Sequence, residues 1–225
     1  MTEVTPWTFG EAPLAETLAL AAALRDLAGN ALALEHPAPE IRQFTATVLA
    51  VGRRLEAILP RDPRPRVGPS GPLSGEQGDS PEPDRRVYLD HSRNIGDYNP
   101  CFPQYRLSCS DGRGEGEVEF PILYEGPPGI VHGGFLALLF DCVLQQLNCD
   151  LGLAGKTATL NVRYRRPTPL LTKLRIVATR EILDKKIHSD AQLYREDELL
   201  CEAEMTAAAG NRESLPYVSP RRPPT

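Results

Sequence analysis

A short glycine-rich loop and the apolar segment that follows it contain the residues best suited to chemistry. His132 is followed directly by Gly133 and Gly134, and Asp141 lies seven residues after Gly134. If a helix begins at the glycines, its N-terminal N–H groups and the positive end of its dipole can bind an oxyanion. At about 3.6 residues per turn, Asp141 then lies about two turns deeper. The spacing predicts an anion-binding helix start and an acidic group on one helix.

Asp141 is the only charged residue between Gly134 and Leu147. An ionised carboxylate in an apolar helix is costly unless something compensates it. The segment from Gly126 to Leu153 contains no lysine or arginine, which excludes an ion pair with a residue four positions away on the helix. We therefore interpret Asp141 as a catalytic residue, and the alternative is a carboxylate satisfied by a local cap or an ion pair.

The glycine-rich segment resembles a known family. It combines His132-Gly133-Gly134, an aspartate nine residues after the histidine, and a preceding Glu125-Gly126-Pro127-Pro128-Gly129. This pattern is similar to that of the hot-dog fold acyl-CoA thioesterases of the PaaI and THEM4-like group, over about residues 104–209. The resemblance implies that the backbone of Gly133 or Gly134 polarises a thioester carbonyl. It also implies that Asp141 acts as general base or nucleophile.

His132 is a candidate for proton transfer because imidazole titrates near neutral pH. The resemblance instead implies that His132 orients the loop through hydrogen bonds or contacts the substrate. No metal-like spacing links the other histidines, His36, His91 and His188. We predict no metal and no separate cofactor, since coenzyme A would arrive as part of the substrate.

The segment after the apolar helix alternates polar and apolar residues, as a strand does. We expect its apolar row, which includes Leu160 and Val162, to face the helix, and Thr157 and Thr159 to point elsewhere, towards a dimer seam. The resemblance implies that Thr157 holds the catalytic water or the Asp141 carboxylate, with Thr159 at a related position. Alternatively, both threonines are simply good strand formers.

Basic residues cluster around the turn that ends this strand. We predict that Arg163, Arg165 and Arg166, with Thr159 and Asn161 earlier on the strand, form the substrate-binding side of the site. Guanidinium groups suit the phosphates of coenzyme A. The alternative is a solvated strand edge whose charges prevent aggregation. Lys173, Arg175 and the pair Lys185-Lys186 are further candidates.

Composition limits the classes of function. The chain has 225 residues, 41% of them hydrophobic, and a formal charge of −5, which argues against broad nucleic-acid or membrane-surface binding. Neither a leader peptide nor an apolar run of 18 residues occurs, so we expect a cytoplasmic protein. The five cysteines show no Cys-X-X-Cys spacing and are interpreted as reduced thiols, with Cys142 and Cys149 in the core. No Gly-X-Ser-X-Gly elbow occurs.

The pattern of elements predicts an α+β hot-dog fold with an N-terminal helical hairpin. Two strands, one apolar helix and four further strands follow one another between residues 104 and 208. An antiparallel sheet wrapped round the helix is the simplest way to bury it. The predicted divisions are a helical extension over 1–60, a Pro/Gly-rich linker over 61–86, the catalytic domain over 87–210 and a Pro-rich tail over 211–225.

The resulting functional hypothesis is hydrolysis of acyl-CoA thioesters by a homodimer or a dimer of dimers. Asp141 would activate water while the glycine amides stabilise the oxyanion. One alternative is a non-catalytic acyl-CoA-binding or scaffold protein. A second is an enoyl-CoA hydratase, which would require an aspartate and a histidine closer together than His132 and Asp141.

Overall fold

The computed structural model describes residues 15–59, 94–150, 156–184 and 186–208. The predicted linker and C-terminal tail lie outside these ranges, as do His91 and Lys185. The helices are α1 (Ala15–Leu32), α2 (Glu40–Ile58), α3 (Ile95–Tyr98) and α4 (Gly133–Asp150), with a 3-10 turn over Ile122–Tyr124. The strands are β1 (Tyr105–Ser110), β2 (Arg113–Val118), β3 (Thr157–Tyr164), β4 (Leu174–Leu183), β5 (Lys186–Arg195) and β6 (Glu198–Ala208).

The six strands form one antiparallel sheet in the order β1-β2-β4-β5-β6-β3. The order of elements along the chain, two strands, a helix and four strands, matches the prediction. β3 pairs with β6 on one side only, so the opposite side of β3 is an edge of the sheet. The strand predicted to carry catalytic and binding residues therefore lies at this edge.

Helix α4 packs against the concave side of the sheet, with contacts to β1, β3, β4, β5 and β6. Its buried apolar side chains form the centre of the core together with residues from the sheet, and they are Leu136, Leu139, Phe140, Val143, Leu144 and Leu147. One stripe of α4 is less buried, and it contains Leu138, Asp141 and Gln145. These positions recur every three to four residues, so they share one face of the helix. Asp141 therefore lies on the open side of an otherwise buried helix.

The sequence pattern predicts a turn at Asp111-Gly112 and a second strand over 116–121, and the structure has the turn at these residues but begins the strand at Arg113. In the structure Ser110 pairs with Arg113 across a two-residue turn. Asp111 and Gly112 both have positive φ, 48° and 78°, which is the conformation of the tightest hairpin turns. Because the turn is this short, the second strand begins three residues earlier than the alternation of side chains suggests.

The N-terminal helices behave differently from each other. Helix α1 continues through Gly29 and Asn30, where the sequence suggests a break, and packs against α3 and the 3-10 turn. The guanidinium group of Arg25 is buried there and donates a hydrogen bond to the carbonyl of Gly96. Helix α2 has no buried residue. None of the helices in the described part of the chain has the length and apolar composition needed to cross a membrane.

Candidate active site

A tight loop leads into helix α4 and is held by its own backbone. The amide of Gly126 donates to the carbonyl of Ile130 at 2.8 Å, and the carboxylate of Glu125 accepts from the Gly129 amide at 2.7 Å. Gly129 has a φ of 77°, which a residue with a side chain adopts only with strain. A β-carbon at Gly126 would lie 2.8 Å from the Cα of His132. The two glycines thus allow the loop to close directly against His132.

His132 is the N-cap of helix α4. Its carbonyl accepts from the amides of Phe135 and Leu136, and its Nδ1 accepts from the amide of Gly134 at 3.0 Å. A side-chain acceptor that bonds the second amide of a helix is the usual arrangement of an N-cap. Because Nδ1 accepts, this hydrogen-bond network assigns the ring proton of the neutral imidazole to Nε2. The position agrees with the loop-orienting role that the resemblance implies.

The two glycine amides at the helix start are not equivalent. The Gly134 amide is engaged by His132, whereas the Gly133 amide has no acceptor among the described residues. The hydroxyl of Tyr164 donates to the Gly133 carbonyl at 2.9 Å, and a β-carbon at Gly133 would lie 3.3 Å from the Tyr164 ring. Tyr164 therefore holds this peptide in place, and the Gly133 N–H is the donor available to an oxyanion.

Asp141 and Thr157 are joined by a hydrogen bond. The Thr157 hydroxyl donates to Oδ1 of Asp141 at 2.8 Å and accepts from Nε2 of Gln145 at 2.6 Å. All three groups are partly buried. Within the described ranges, no lysine, arginine or histidine lies within 4.0 Å of Asp141, and its Oδ2 accepts no hydrogen bond. The carboxylate is therefore oriented by a neutral hydroxyl and retains one oxygen for another partner.

The side chain of Thr157 points in the direction opposite to the one predicted. We expected its side chain to point away from α4, but it contacts Asp141 on α4. The register of β3 against β6 shifts between Thr157 and Thr159, which leaves Ala158 as the extra residue of a bulge. A bulge reverses the alternation of faces on one side of it. Beyond the bulge the prediction is right, since Leu160 and Val162 pack against the core.

A single chain does not bring the two halves of the site together. Gly133 and Asp141 are eight residues apart on one straight helix, which separates them by about 12 Å along its axis. The open face of α4 and the edge strand β3 are both accessible. Within one chain, therefore, the Gly133 amide and the Asp141 carboxylate are too far apart to act on the same carbonyl group.

The predicted substrate-binding residues are exposed, and their charges are mostly compensated. Arg165 and Arg163 contact the carboxylate of Glu202 at 2.5 Å and 3.3 Å. The hydrogen bond from Arg165 is the largest cause that lowers the pKa of Glu202. Arg166 lies 3.8 Å from Glu198. Thr159 and Asn161 are exposed on β3.

Two contributors to the site were missed at the level of sequence. Gln145 lies four residues after Asp141, so helical spacing could have identified it as a neighbour on the same face. Tyr164 ends β3 and reaches Gly133, a contact between residues 31 positions apart for which no sequence pattern exists. The cysteine beside Asp141 is a core residue, as predicted, and burial raises the pKa of the Cys142 thiol to about 12.

Comparison with solved structures places this geometry in a known fold. A crystal structure described as a thioesterase superfamily protein aligns with 89% of this chain and 94% of its own, at 26% identity and a TM-score of 0.69. Thioesterase superfamily member 2 from Mus musculus aligns with 47% of this chain and 82% of its own, at 18% identity and a TM-score of 0.44. A hypothetical thioesterase from Streptococcus pneumoniae TIGR4 with coenzyme A covers 53% of this chain and 92% of its own, at 21% identity and a TM-score of 0.44.

The chain has the hot-dog fold, as its sequence predicts. The predicted resemblance to thioesterases of this fold is confirmed by the first alignment, which extends beyond the sheet into the N-terminal part of the chain. No protein-family model matches the chain.

Proposed function

We propose that the protein hydrolyses acyl-CoA thioesters and that Asp141 activates the attacking water. The observation that carries the proposal is the contact between Thr157 and Asp141. An aspartate on the open face of an otherwise apolar helix is held by a hydroxyl rather than a cation. Such a carboxylate is available as a proton acceptor, because no ion pair occupies it within the described ranges.

The reaction follows from the orientation of the carboxylate. Oδ1 of Asp141 is bound by Thr157, so Oδ2 is the oxygen that takes a proton from water. The water oxygen bonds to the carbonyl carbon of the thioester and a tetrahedral oxyanion forms. As this intermediate collapses, the carbon–sulfur bond breaks and the proton held by Asp141 passes to the departing sulfur, so coenzyme A leaves as a thiol and the carboxylate is regenerated. Gln145 fixes the Thr157 hydroxyl so that its proton points to Asp141.

The oxyanion requires donors that the same chain does not bring near Asp141. We infer that the Gly133 amide of a second subunit, at the positive end of its α4 helix, supplies this interaction. Pairing of two β3 edges in a homodimer would provide the approach, since edge strands offer unpaired backbone groups. His132 contributes by fixing the loop and the helix start.

The arginines near the end of β3 are the proposed contact for the phosphates of coenzyme A. Arg163, Arg165 and Arg166 are exposed, and Glu202 and Glu198 hold them in place. A phosphate would have to compete with these carboxylates for the guanidinium groups. The expected contribution is therefore to substrate affinity rather than to the chemical step.

Release of free thiol from a panel of acyl-CoA esters tests the proposal directly. We expect turnover with at least one chain length, and weaker binding of the matching acyl-pantetheine, which lacks the nucleotide phosphates. If the KM for the acyl-pantetheine equals that for the matching acyl-CoA, the arginines do not bind the phosphates. If acyl-CoA esters bind without thiol release, the protein is a binding module. Hydration of an enoyl-CoA would indicate a hydratase.

A further inference from the structure

Helix α2 presents an apolar seam that nothing in the described part of the chain covers. The seam consists of Ile41, Phe44, Val48, Val51, Leu55 and Ile58, which recur at intervals of three and four residues. All except Ile41 are between 37% and 78% exposed. Intervals that alternate between three and four define the contact line of a two-stranded coiled coil. A second helix is therefore the kind of partner that the seam fits.

The helix needs such a partner for its own stability. Isolated helices of this length are marginal in water, and most helices in proteins are stabilised by packing of an apolar face. The segment that follows α2 is a poor candidate for this role. Its sequence contains seven prolines over residues 60–83, a composition that does not favour helix formation.

The intervals between the apolar residues of the seam are the same in both directions along the helix. The intervals along α2 are three, four, three, four and three. In an antiparallel pair of identical helices, Ile41 therefore faces Ile58 of the second copy, and Val48 faces Val51. Every apolar residue of the seam meets another, so the surface is complementary to itself about a two-fold axis.

Charges beside the seam select the antiparallel orientation. Glu40, Thr47 and Arg54 are seven residues apart and line one flank. Neither Glu40 nor Arg54 makes an ion pair within the described ranges. In an antiparallel pair this flank meets its own reverse. With Ile41 opposite Ile58, Glu40 and Arg54 of the second copy are offset by five residues, about 7.5 Å along the axis, so their long side chains can reach each other at both ends. In a parallel pair this flank would instead face the opposite flank of the second copy, where Thr45 and Gly52 carry no charge.

Gly52 on that opposite flank is consistent with a close helix neighbour. A glycine in a helix interior costs about 1 kcal/mol relative to alanine. Nothing in the described part of the chain requires this glycine, because a β-carbon at Gly52 would meet no atom there within 4 Å. A small residue beside the seam allows the two backbones to approach.

We propose that α2 is a self-association element that pairs in antiparallel fashion with α2 of a second copy of this chain. The contact runs over about 28 Å, the length of a 19-residue helix. It is separate from the β3 edge and does not depend on the proposed thioesterase activity.

A cysteine placed beside the two-fold axis, which passes between Val48 and Val51, tests the pairing in the full-length chain. Thr47→Cys, in a Cys101→Ser background, should form covalent dimers with a short bis-maleimide. The side chain at position 43 points away from the seam, so Gln43→Cys should give at least about tenfold less covalent dimer. The background protein alone measures cross-linking through the other cysteines. Equal cross-linking at positions 43 and 47, or none above the background, would overturn the proposal.

Substitutions within α2 provide the matched comparison. Val48→Asp, added to Thr47→Cys, should abolish cross-linking, whereas Leu49→Asp should not, because Leu49 is even more exposed than Val48 but lies outside the seam. Arg54→Glu should reduce the cross-linking at low salt, and the double change Glu40→Arg with Arg54→Glu should restore the cross-linking. A melting temperature lowered by Val48→Asp with no cross-link at position 47 would assign the seam to a segment of the same chain, against the proposal.

Discussion

The hydroxyl of Thr157 donates a hydrogen bond to Oδ1 of Asp141 across 2.8 Å. This contact joins the edge strand of the sheet to the open face of its central helix. It exists because the bulge at Ala158 turns Thr157 towards the helix. The hydroxyl and the carboxylate thus form a unit whose geometry is set by a local irregularity in β3.

Removal of the Thr157 hydroxyl should slow the reaction without unfolding the domain. Thr157→Val keeps the shape of the side chain but loses a hydrogen bond to a charged group, which is worth about 1.5–3 kcal/mol. We expect kcat/KM for thiol release to fall by about 10- to 100-fold. Thr157→Ser should retain most of the activity. Thr159→Val is the matched control on the same strand, and an equal loss there would argue against a specific role for Thr157.

A general-base mechanism predicts where the oxygen of water ends after one turnover. In water enriched in oxygen-18, a single turnover should place the label in the fatty acid and none in the protein. Direct attack by Asp141 would give an anhydride, and hydrolysis at the aspartyl carbon would label the side chain. Mass spectrometry of the peptide that contains Asp141 tests this prediction, and label in that peptide would contradict the base assignment.

His132 should contribute to stability through its capping hydrogen bond. Loss of an N-cap side chain costs about 0.5–2 kcal/mol. His132→Ala should lower the free energy of unfolding by this amount, measured by urea denaturation, while His132→Asn preserves an acceptor and most of the stability. If His132→Asn keeps stability but loses all activity, the imidazole would have a chemical role that its capping position does not supply.

Two buried thiols make stability sensitive to alkaline pH. Burial raises the pKa of Cys142 and of Cys201 from 9.0 to about 12. Below pH 9 both thiols are neutral in the folded and unfolded chain, and their contribution to stability is fully present. As pH rises from 9 to 12 the unfolded chain loses these protons first, so the free energy of unfolding falls.

Urea midpoints measured between pH 8 and pH 11 check this effect. Cys201→Ala should lower stability at pH 8, because it leaves a cavity, but should show a shallower decline with pH. A matched labelling experiment at pH 8 should modify the exposed Cys101 and spare both buried thiols. Rapid modification of Cys142 in the folded protein would contradict its burial.

The central elements of the fold were predictable because their patterns are strong. An apolar run with one charge indicates a buried helix, and the alternation after it indicates a strand, which the structure shows as Thr157–Tyr164. The order of the strands along the chain follows from alternation and turn residues. The start of β2 was less predictable: the turn lies at Asp111 and Gly112, as the turn residues indicate, but the strand begins directly after it, at Arg113.

Contacts between distant positions could not be predicted in the same way. The pairing of Arg165 with Glu202 joins residues 37 positions apart, so the sequence showed a basic cluster where the structure shows compensated charges. The bulge that turns Thr157 depends on the register against β6. The unequal roles of the Gly133 and Gly134 amides depend on the rotamer of His132.

The rate of thiol release by Asp141→Asn tests the central claim most directly. Loss of a general base typically costs about 10²- to 10⁴-fold, and we expect kcat to fall in this range while the folded state is retained. Asp184→Asn removes one exposed carboxylate in the β4–β5 turn and should leave the rate unchanged. Turnover by Asp141→Asn at the rate of the unmodified enzyme would contradict the account.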